Sequence, residues 1–197
     1  MNPSPQTEMS IPEVTYAPMP ENWKQGKVHI KVQVDVVNKK TGKVEKRWID
    51  NYNGGTVQLS NLIAANIFGA AQTSVCKDTG GTATRTVAAN SATSAWQIVA
   101  GTGGTTAAVT DYVLGTQVAN QQGIQTPTVS AVNTSTDVFT LTANMAAPSS
   151  GTTVYKEVGI YVTAATYVFC VARDYNSGGW SVDTVHYLAV TYTVTIS

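Results

Sequence analysis

The residues that could do chemistry are few and widely spaced in this sequence of 197 residues. A metal site needs clustered His, Cys or carboxylate ligands. The two histidines, His29 and His186, each lie in an alternating β pattern without such neighbours, and we interpret each as an ordinary strand residue. A hydrolase with two catalytic carboxylates needs them to converge on one pocket. Asp174 and Asp183 are candidates only in the sense that any two carboxylates are.

Motifs for a nucleophile or for phosphate binding are missing as well. The sequence has no G-x-S-x-G elbow and no cysteine close to a histidine. The run GTGGTT at 101–106 lacks the lysine with which a P-loop reaches its phosphates, so we interpret it as a flexible turn. Cys76 and Cys170 are far apart, which favours two buried free thiols and leaves a disulfide open. We therefore expect no catalytic residue, no metal and no cofactor, and predict that the protein is not an enzyme.

The charge balance argues against two classes of partner. Twelve basic residues match twelve acidic ones, and charged residues make up 12% of the chain, about half the usual fraction. Attraction to nucleic acid or to an anionic membrane is therefore not expected to be the main interaction. A freely diffusing protein usually carries net charge for solubility. A neutral chain is easier to explain if partners cover much of its surface.

The N-terminal residues 1–26 differ from the rest. Five of the seven prolines lie here, and proline opposes both helix and central strand. The segment lacks the basic and apolar regions of a signal peptide. Apolar side chains are interleaved with the prolines, which is unusual for a solvated linker. They are Met9, Ile11, Val14, Tyr16, Met19 and Trp23. We predict an extended arm that lies on its own domain or on a neighbouring subunit, with these residues as inter-subunit contacts; a disordered leader is the alternative.

Residues 27–197 are predicted to form a single β domain. Apolar and polar residues alternate over 28–36, and a second strand returns after the turn NKKTGK, which predicts a hairpin over 28–52. Eight of the twelve basic residues fall between Lys24 and Arg47. We interpret them as the solvated face of an exposed hairpin, where lysines also guard edge strands against mispairing. A phosphate- or nucleic-acid-facing role is the minor alternative.

The run LSNLIAANIFG predicts one short helix over 59–69. Its apolar residues follow helical spacing, Ser60 is the expected cap, and Gly69 is the expected stop. A helix this short needs a sheet to pack against. Two short strands, QTSVCK and TATRTV, are expected to follow, joined by the turn DTGG.

From Ala88 onward the chain is rich in Thr, Ser, Ala and Gly, and it has no Lys or Arg before Tyr155. Strands are predicted at 96–101, 127–132, 137–145, 153–162, 166–174 and 186–197, separated by turns such as GTGG, NTST, PSSG and NSGG. Many short strands at regular spacing favour an antiparallel β-sandwich of jelly-roll-like type. The predicted fold is therefore mainly β, with one short helix and an extended N-terminal arm.

One segment could form a surface binding loop. Lectin sites often combine exposed aromatic rings with Asn and Asp, and DYNSGGWSVD offers Tyr175, Asn176, Trp180 and Asp183. The more ordinary interpretation is that Trp180 anchors the loop.

Three blocks of the sequence resemble small virion-associated β-proteins of tailed bacteriophages and archaeal tailed viruses. They are WQIVAGTGGTTAAVTDYVLGTQV (96–118), VYKEVGIYVTAATYVFCVARD (154–174) and the closing LAVTYTVTIS. The shared features are a G-T-G-x-T-x-A loop, a D-x-x-L-G turn, an E-V-G-(I/L)-Y strand, an A-R-D strand end and a T-Y-T-V strand. The resemblance covers about half the chain, and the arm before Trp23 is not part of it.

The resemblance implies a structural protein of a virus particle. Such a subunit, whether a capsid decoration protein, a head fibre or a tail component, would contact copies of itself and other virion proteins, and the family supplies no catalytic residues. We therefore expect a homo-oligomer located in the virion, made in the host cytoplasm, with neither nucleic acid nor membrane as its main partner. A receptor- or glycan-binding module of a phage fibre is the alternative.

Overall fold

The computed structural model describes residues 13–16, 28–53, 55–68, 77–81, 85, 93–131, 138–164 and 166–196. Within them lie ten strands, one α-helix and one short 3-10 turn. The strands are β1 (Glu13–Tyr16), β2 (Val28–Asn38), β3 (Val44–Asn53), β4 (Thr93–Gly101), β5 (Ile124–Gln125), β6 (Thr128–Val129), β7 (Val138–Met145), β8 (Thr152–Ala164), β9 (Tyr167–Asp183) and β10 (His186–Ile196). The helix, α1, spans Val57–Phe68, and the 3-10 turn spans Asn120–Gln122.

The strands form two sheets. One has six strands in the order β1-β3-β2-β10-β7-β6, and the other has four in the order β5-β4-β8-β9. Every pairing is antiparallel except that of β1 with β3, which is parallel. One core cluster contains buried residues from both sheets, so they pack face to face. The predicted mainly β sandwich with one helix is confirmed, whereas its jelly-roll connectivity stays a prediction.

Alternation explains the core. On β10, Leu188, Val190, Tyr192 and Val194 are buried between the sheets, and the intervening residues are half-buried on the outer face. β2 follows the same pattern from Ile30 to Val34, after which residues 35–37 are all buried, and it pairs with β3 as the predicted hairpin. The hairpin therefore contributes one buried face to the sandwich.

β8 departs from alternation because it is covered on both faces. Its residues 157–162 are all buried. Val158, Ile160 and Val162 face the other sheet, and Tyr161 belongs to a second cluster with Val99, Leu114 and Cys170. This second cluster lies on the outer face of the four-stranded sheet, beneath a loop that the next section describes.

The helix begins earlier than predicted. α1 starts at Val57, so Ser60 lies inside its first turn and is not the cap. Thr56 takes that place, because its hydroxyl accepts the N–H of Gln58 (3.2 Å) and donates to the carbonyl of Cys170 (2.6 Å). The cap was missed because Thr56 is fixed by a residue far away in sequence. Gly69 lies outside the described residues.

Two predicted boundaries in the second half were also wrong. The NSGG segment does not end a strand; β9 runs on to Asp183. The four residues 176–179 bulge opposite the single residue Lys156, between the pairs Glu157↔Tyr175 and Tyr155↔Trp180, with Gly179 at φ +67°. The strand predicted at 127–132 is shorter in the structure, where β6 spans Thr128–Val129. Most of the QTSVCK and TATRTV region lies outside the described residues.

The described part of the chain has no helix with the length and apolarity to cross a bilayer.

Candidate functional site

The most elaborate polar site in the structure lies under the segment 102–116, here called the glycine loop. The loop leaves the end of β4 and is closed at its base by two backbone hydrogen bonds. Thr102 N donates to Thr116 O (2.8 Å), and Val118 N donates to Ala100 O (3.0 Å). The loop therefore folds back over the outer face of the four-stranded sheet, where β8 and β9 present their outward side chains.

Glu157 on β8 is the centre of this site. Its side chain is fully buried and accepts three backbone N–H groups from the glycine loop. Gly103 N and Thr116 N donate to Oε1 at 3.0 and 2.8 Å, and Gly115 N donates to Oε2 at 2.9 Å. A single carboxylate thus holds both ends of the loop.

Arg173 on β9 supplies the opposite charge. In the antiparallel register Arg173 lies opposite Gly159, so its side chain is the diagonal neighbour of Glu157 on the same face. Its Nε and Nη2 atoms donate to Glu157 Oε2 at 2.9 and 2.7 Å. Nη1 donates to Asp111 Oδ2 at 2.6 Å, and Nη2 also donates to Thr105 O at 2.9 Å. The guanidinium thereby links the sheet to the middle of the loop.

Two glycines make room for the carboxylate. A Cβ added at Gly101 would lie 2.6 Å from Glu157 Oε1, and one added at Gly103 would overlap the same oxygen. The glycines of the G-T-G motif are therefore required by the close approach of the backbone to Glu157. The prediction of an unconstrained turn at 101–106 was wrong, because the turn is hydrogen-bonded to a residue some fifty positions later in the chain.

The cluster keeps its charges. Burial raises the pKa of Glu157, but the N–H groups of Thr116 and Gly115 and the Arg173 guanidinium outweigh it, so the pKa is lowered. Burial lowers the pKa of Arg173, and the hydrogen bonds that it donates to Asp111 and Glu157 outweigh that effect and raise it. Both Glu157 oxygens are already engaged by donors, which makes the carboxylate a poor general base. The arrangement is chemically a buried crosslink.

Two neighbouring titratable groups, Tyr161 and Cys170, are neutral and buried. The Tyr161 hydroxyl accepts the N–H of Leu114 (2.8 Å), and burial raises the pKa of Tyr161. Cys170 is a buried free thiol whose pKa burial also raises, so it holds no reactive thiolate. Cys76 lies outside the described residues. Among the residues that the structure does describe, no group of three His, Cys, Asp or Glu side chains could hold a metal ion.

The outer side of the glycine loop is exposed and uncharged. Val109 is 61% exposed, and Asp111, the acidic residue of the loop, is turned inward to Arg173. The other exposed positions are Thr102, Gly104, Thr105, Thr106, Ala108, Thr110, Gly115 and Thr116. The buried crosslink therefore holds a neutral surface in one conformation.

The predicted surface binding loop is not assembled. Trp180 is 3% exposed and packs edge-on against Trp48 of the other sheet, with ring centroids 5.3 Å apart. Its ring is not available to stack on a sugar, so the structure agrees with the interpretation of Trp180 as an anchor. Tyr175 and Asn176 are half-buried, and Asn176 Oδ1 accepts the N–H of Gly178. Asp183 lies beyond the bulge, as the last residue of β9.

Asp183 instead joins His186 in a small surface cluster. His186 Nδ1 lies 2.6 Å from Asp183 Oδ1, and His186 Nε2 lies 2.9 Å from Glu45 Oε2 on β3. The hydrogen bond to Asp183 raises the pKa of His186, partly opposed by desolvation. Both ring nitrogens are occupied, so His186 links the end of β9 to the start of β3. His29 lies on β2 opposite Thr195, half-buried, as an ordinary strand residue.

Only part of the predicted arm is described. Val14 and Tyr16 lie on β1, which pairs with β3 of the same chain in the register Val14↔Arg47 and Tyr16↔Ile49. Met9, Ile11, Met19 and Trp23 lie outside the described residues. Inter-subunit contacts of the arm stay a prediction.

Comparisons with protein-family models, with curated proteins and with solved structures found no match.

Every part of the buried cluster is visible in the sequence, but nothing there connects the parts. Glu157 and Arg173 lie in mostly apolar strand runs, VYKEVGIYV and VFCVARD, and each has one charged neighbour, Lys156 or Asp174. Because charges are almost never fully buried unless paired, a carboxylate and a guanidinium in two apolar strands were the available signal. In the sequence, only the glycines indicate the loop N–H groups that donate to Glu157.

Proposed function

We propose that this chain is a structural subunit of a virus particle, which acts by associating with copies of itself and with neighbouring virion proteins. It catalyses no reaction in this role, and its place is in the virion. The observation that carries the proposal is that residues from four of the resembling motifs come together in one buried site. Glu157, Arg173 and Asp111, with the G-T-G glycines, meet in one buried crosslink whose product is a fixed, neutral loop.

A surface that is fixed before association suits a contact role. Ordering a loop at an interface costs free energy that subtracts from affinity, and a pre-ordered loop avoids that cost. Neutral hydroxyl groups also form hydrogen bonds across an interface without the desolvation penalty of charges. Both arguments favour contact with another protein over chemistry on a small substrate.

Sedimentation of the purified full chain over a range of concentrations tests this proposal. We expect a defined oligomer, and we expect a chain lacking residues 1–26 to associate more weakly while its thermal unfolding shows an intact sandwich. A full chain that stays monomeric at every concentration would contradict the proposal. If that monomer bound in a glycan screen, the receptor-binding alternative would replace it. If the shortened chain associated as strongly as the full chain, the arm would not contribute to association.

A further inference from the structure

The outer face of the six-stranded sheet carries a second neutral surface, made by β7 and β10. Because the core residues of these strands alternate with outward ones, the outward side chains form two adjacent rows. We call this surface the threonine face. Its residues are Thr140, Thr142, Asn144, Ala189, Thr191, Thr193 and Thr195.

The rows are in register. Thr191 lies opposite Thr142, Thr193 opposite Thr140, and Ala189 opposite Asn144. Directly opposed side chains of an antiparallel pair are about 5 Å apart, so the hydroxyl groups form a regular array. No hydrogen bond among the described residues uses these threonine hydroxyls as donors or acceptors. The threonine hydroxyl groups are therefore able to form hydrogen bonds with atoms outside the described residues.

The composition of the face is unusual for a solvated sheet. β7 has no charged residue, and the outward positions of β10 from Ala189 to Thr195 have none either. Charges begin at the border, on β2, where Lys31 is exposed and Asp35 is paired with Arg47. Exposed faces of antiparallel sheets ordinarily carry polar and charged side chains.

A second copy of this chain is the partner that the face fits best. In a two-fold contact the same patch meets itself, so a patch with one sign of charge would repel its own copy. A threonine hydroxyl both donates and accepts, which makes an array of hydroxyls complementary to itself. The methyl groups add apolar area without long flexible side chains that must be ordered.

The size of the threonine face sets its place in such a contact. Two neighbouring strands, β7 and β10, at about 4.8 Å spacing and about 30 Å length, present roughly 300 Å². A standard interface takes about 800 Å² from each partner, so the threonine face forms the centre of the contact and the surface around it supplies the rest.

We infer that the threonine face is the contact between two copies of this chain, packed sheet to sheet around a two-fold axis. The inference rests on the proposed function, since it names the partner and the surface of the association proposed there. Two facing sheets at about 10 Å separation would place the paired rows of β7 and β10 at the centre and the charged border of β2 at the rim.

The test compares two double variants by sedimentation. Thr142→Lys with Thr191→Lys puts two like charges from each copy into the centre of the contact. Thr152→Lys with Thr184→Lys adds the same charge at exposed positions away from the face. We expect the first pair to weaken self-association at least tenfold and the second to leave it unchanged. Thr142→Lys alone, at an exposed position, repeats the test with less risk to folding, which thermal unfolding monitors.

The outcomes separate the two proposals. If the wild-type chain associates and neither face variant weakens it, the threonine face is not the contact, and the proposed structural role stands. If the wild-type chain does not associate, both the proposed function and the inference that rests on it are wrong. Equal weakening by the control pair would show a general effect of charge and would also overturn the inference.

Discussion

Glu157 shows how one residue can connect distant parts of the chain. It is a fully buried carboxylate, and its partners come from the glycine loop and from β9. A buried charge is tolerated only when paired and hydrogen-bonded, and removing one partner of a buried ion pair typically costs about 3–5 kcal/mol. The stability of the loop region should therefore depend on this single carboxylate.

We predict that Glu157→Gln lowers the free energy of unfolding by about 3–5 kcal/mol, because Arg173 loses a charged partner and an amide NH₂ meets backbone donors. Chemical denaturation measures this. Glu45→Gln, the same substitution at an exposed position, is the matched control and should have a far smaller effect. Similar losses in the two variants would contradict a special role for the buried pair.

The acid dependence of the same variant gives a second readout. The pKa of Glu157 is lowered in the folded state from an ordinary value of 4.5. Its stabilisation is therefore present above the unfolded pKa and is lost as the pH falls through the folded pKa. The difference between wild type and Glu157→Gln should be full near neutral pH and should shrink below about pH 4.5. A difference that stays constant into acid would show that charge is not the cause.

At the scale of elements, the conformation of the glycine loop is determined by the space available to its backbone. Gly103 and Gly104 are adjacent, but only Gly103 faces Glu157. A Cβ at Gly103 would lie 2.9 Å from Thr116 N and would overlap Glu157 Oε1, whereas a Cβ at Gly104 would have no atom within 4 Å. The two glycines therefore make a matched pair for mutation.

We predict that Gly103→Ala destabilises the protein by about 1–3 kcal/mol, because Glu157 must shift and its hydrogen bonds to the loop weaken. Gly104→Ala should be neutral or stabilise by up to about 1 kcal/mol through the unfolded state. Thermal unfolding of both variants checks this. Equal effects at the two positions would mean that the loop is not held as described.

The same scale shows what the sequence could predict. The alternation in β2 and β10 predicted both strands, because a sheet with one buried face imposes a period of two. The start of α1 and the continuation of β9 were not predictable in this way. The first depends on a hydrogen bond from Thr56 to Cys170, and the second on a four-residue bulge that the partner strand accommodates. Both are set by tertiary contacts between residues distant in sequence.

The candidate site follows the same logic. Its glycines, Glu157, Arg173 and Asp111 are visible as residues, but their convergence is not. It depends on the diagonal placement of Glu157 and Arg173 across β8 and β9 and on the loop folding back over the sheet. Trp180 illustrates the opposite case: an aromatic residue in a polar, glycine-rich segment suggested a surface, and the bulge places it in the core.

At the scale of the whole molecule, the protein is a neutral sandwich with two uncharged surfaces. Part of its N-terminal segment pairs with β3 at the edge of the six-stranded sheet. The glycine loop lies on the outside of one sheet and the threonine face on the outside of the other. Surfaces on opposite sides allow one molecule to contact several neighbours at once, which supports the proposal of a structural subunit.

The most direct measurement is chemical cross-linking of an assembled mixture of isotopically light and heavy chains, read by mass spectrometry. Links that join a light to a heavy peptide can only arise between different copies. The account predicts such mixed links at Lys24 in the N-terminal segment and at Lys31 on the border of the threonine face. If every link joined peptides of the same isotope, the copies of the chain would not be in contact. The central claim, that the chain associates with copies of itself, would then be wrong.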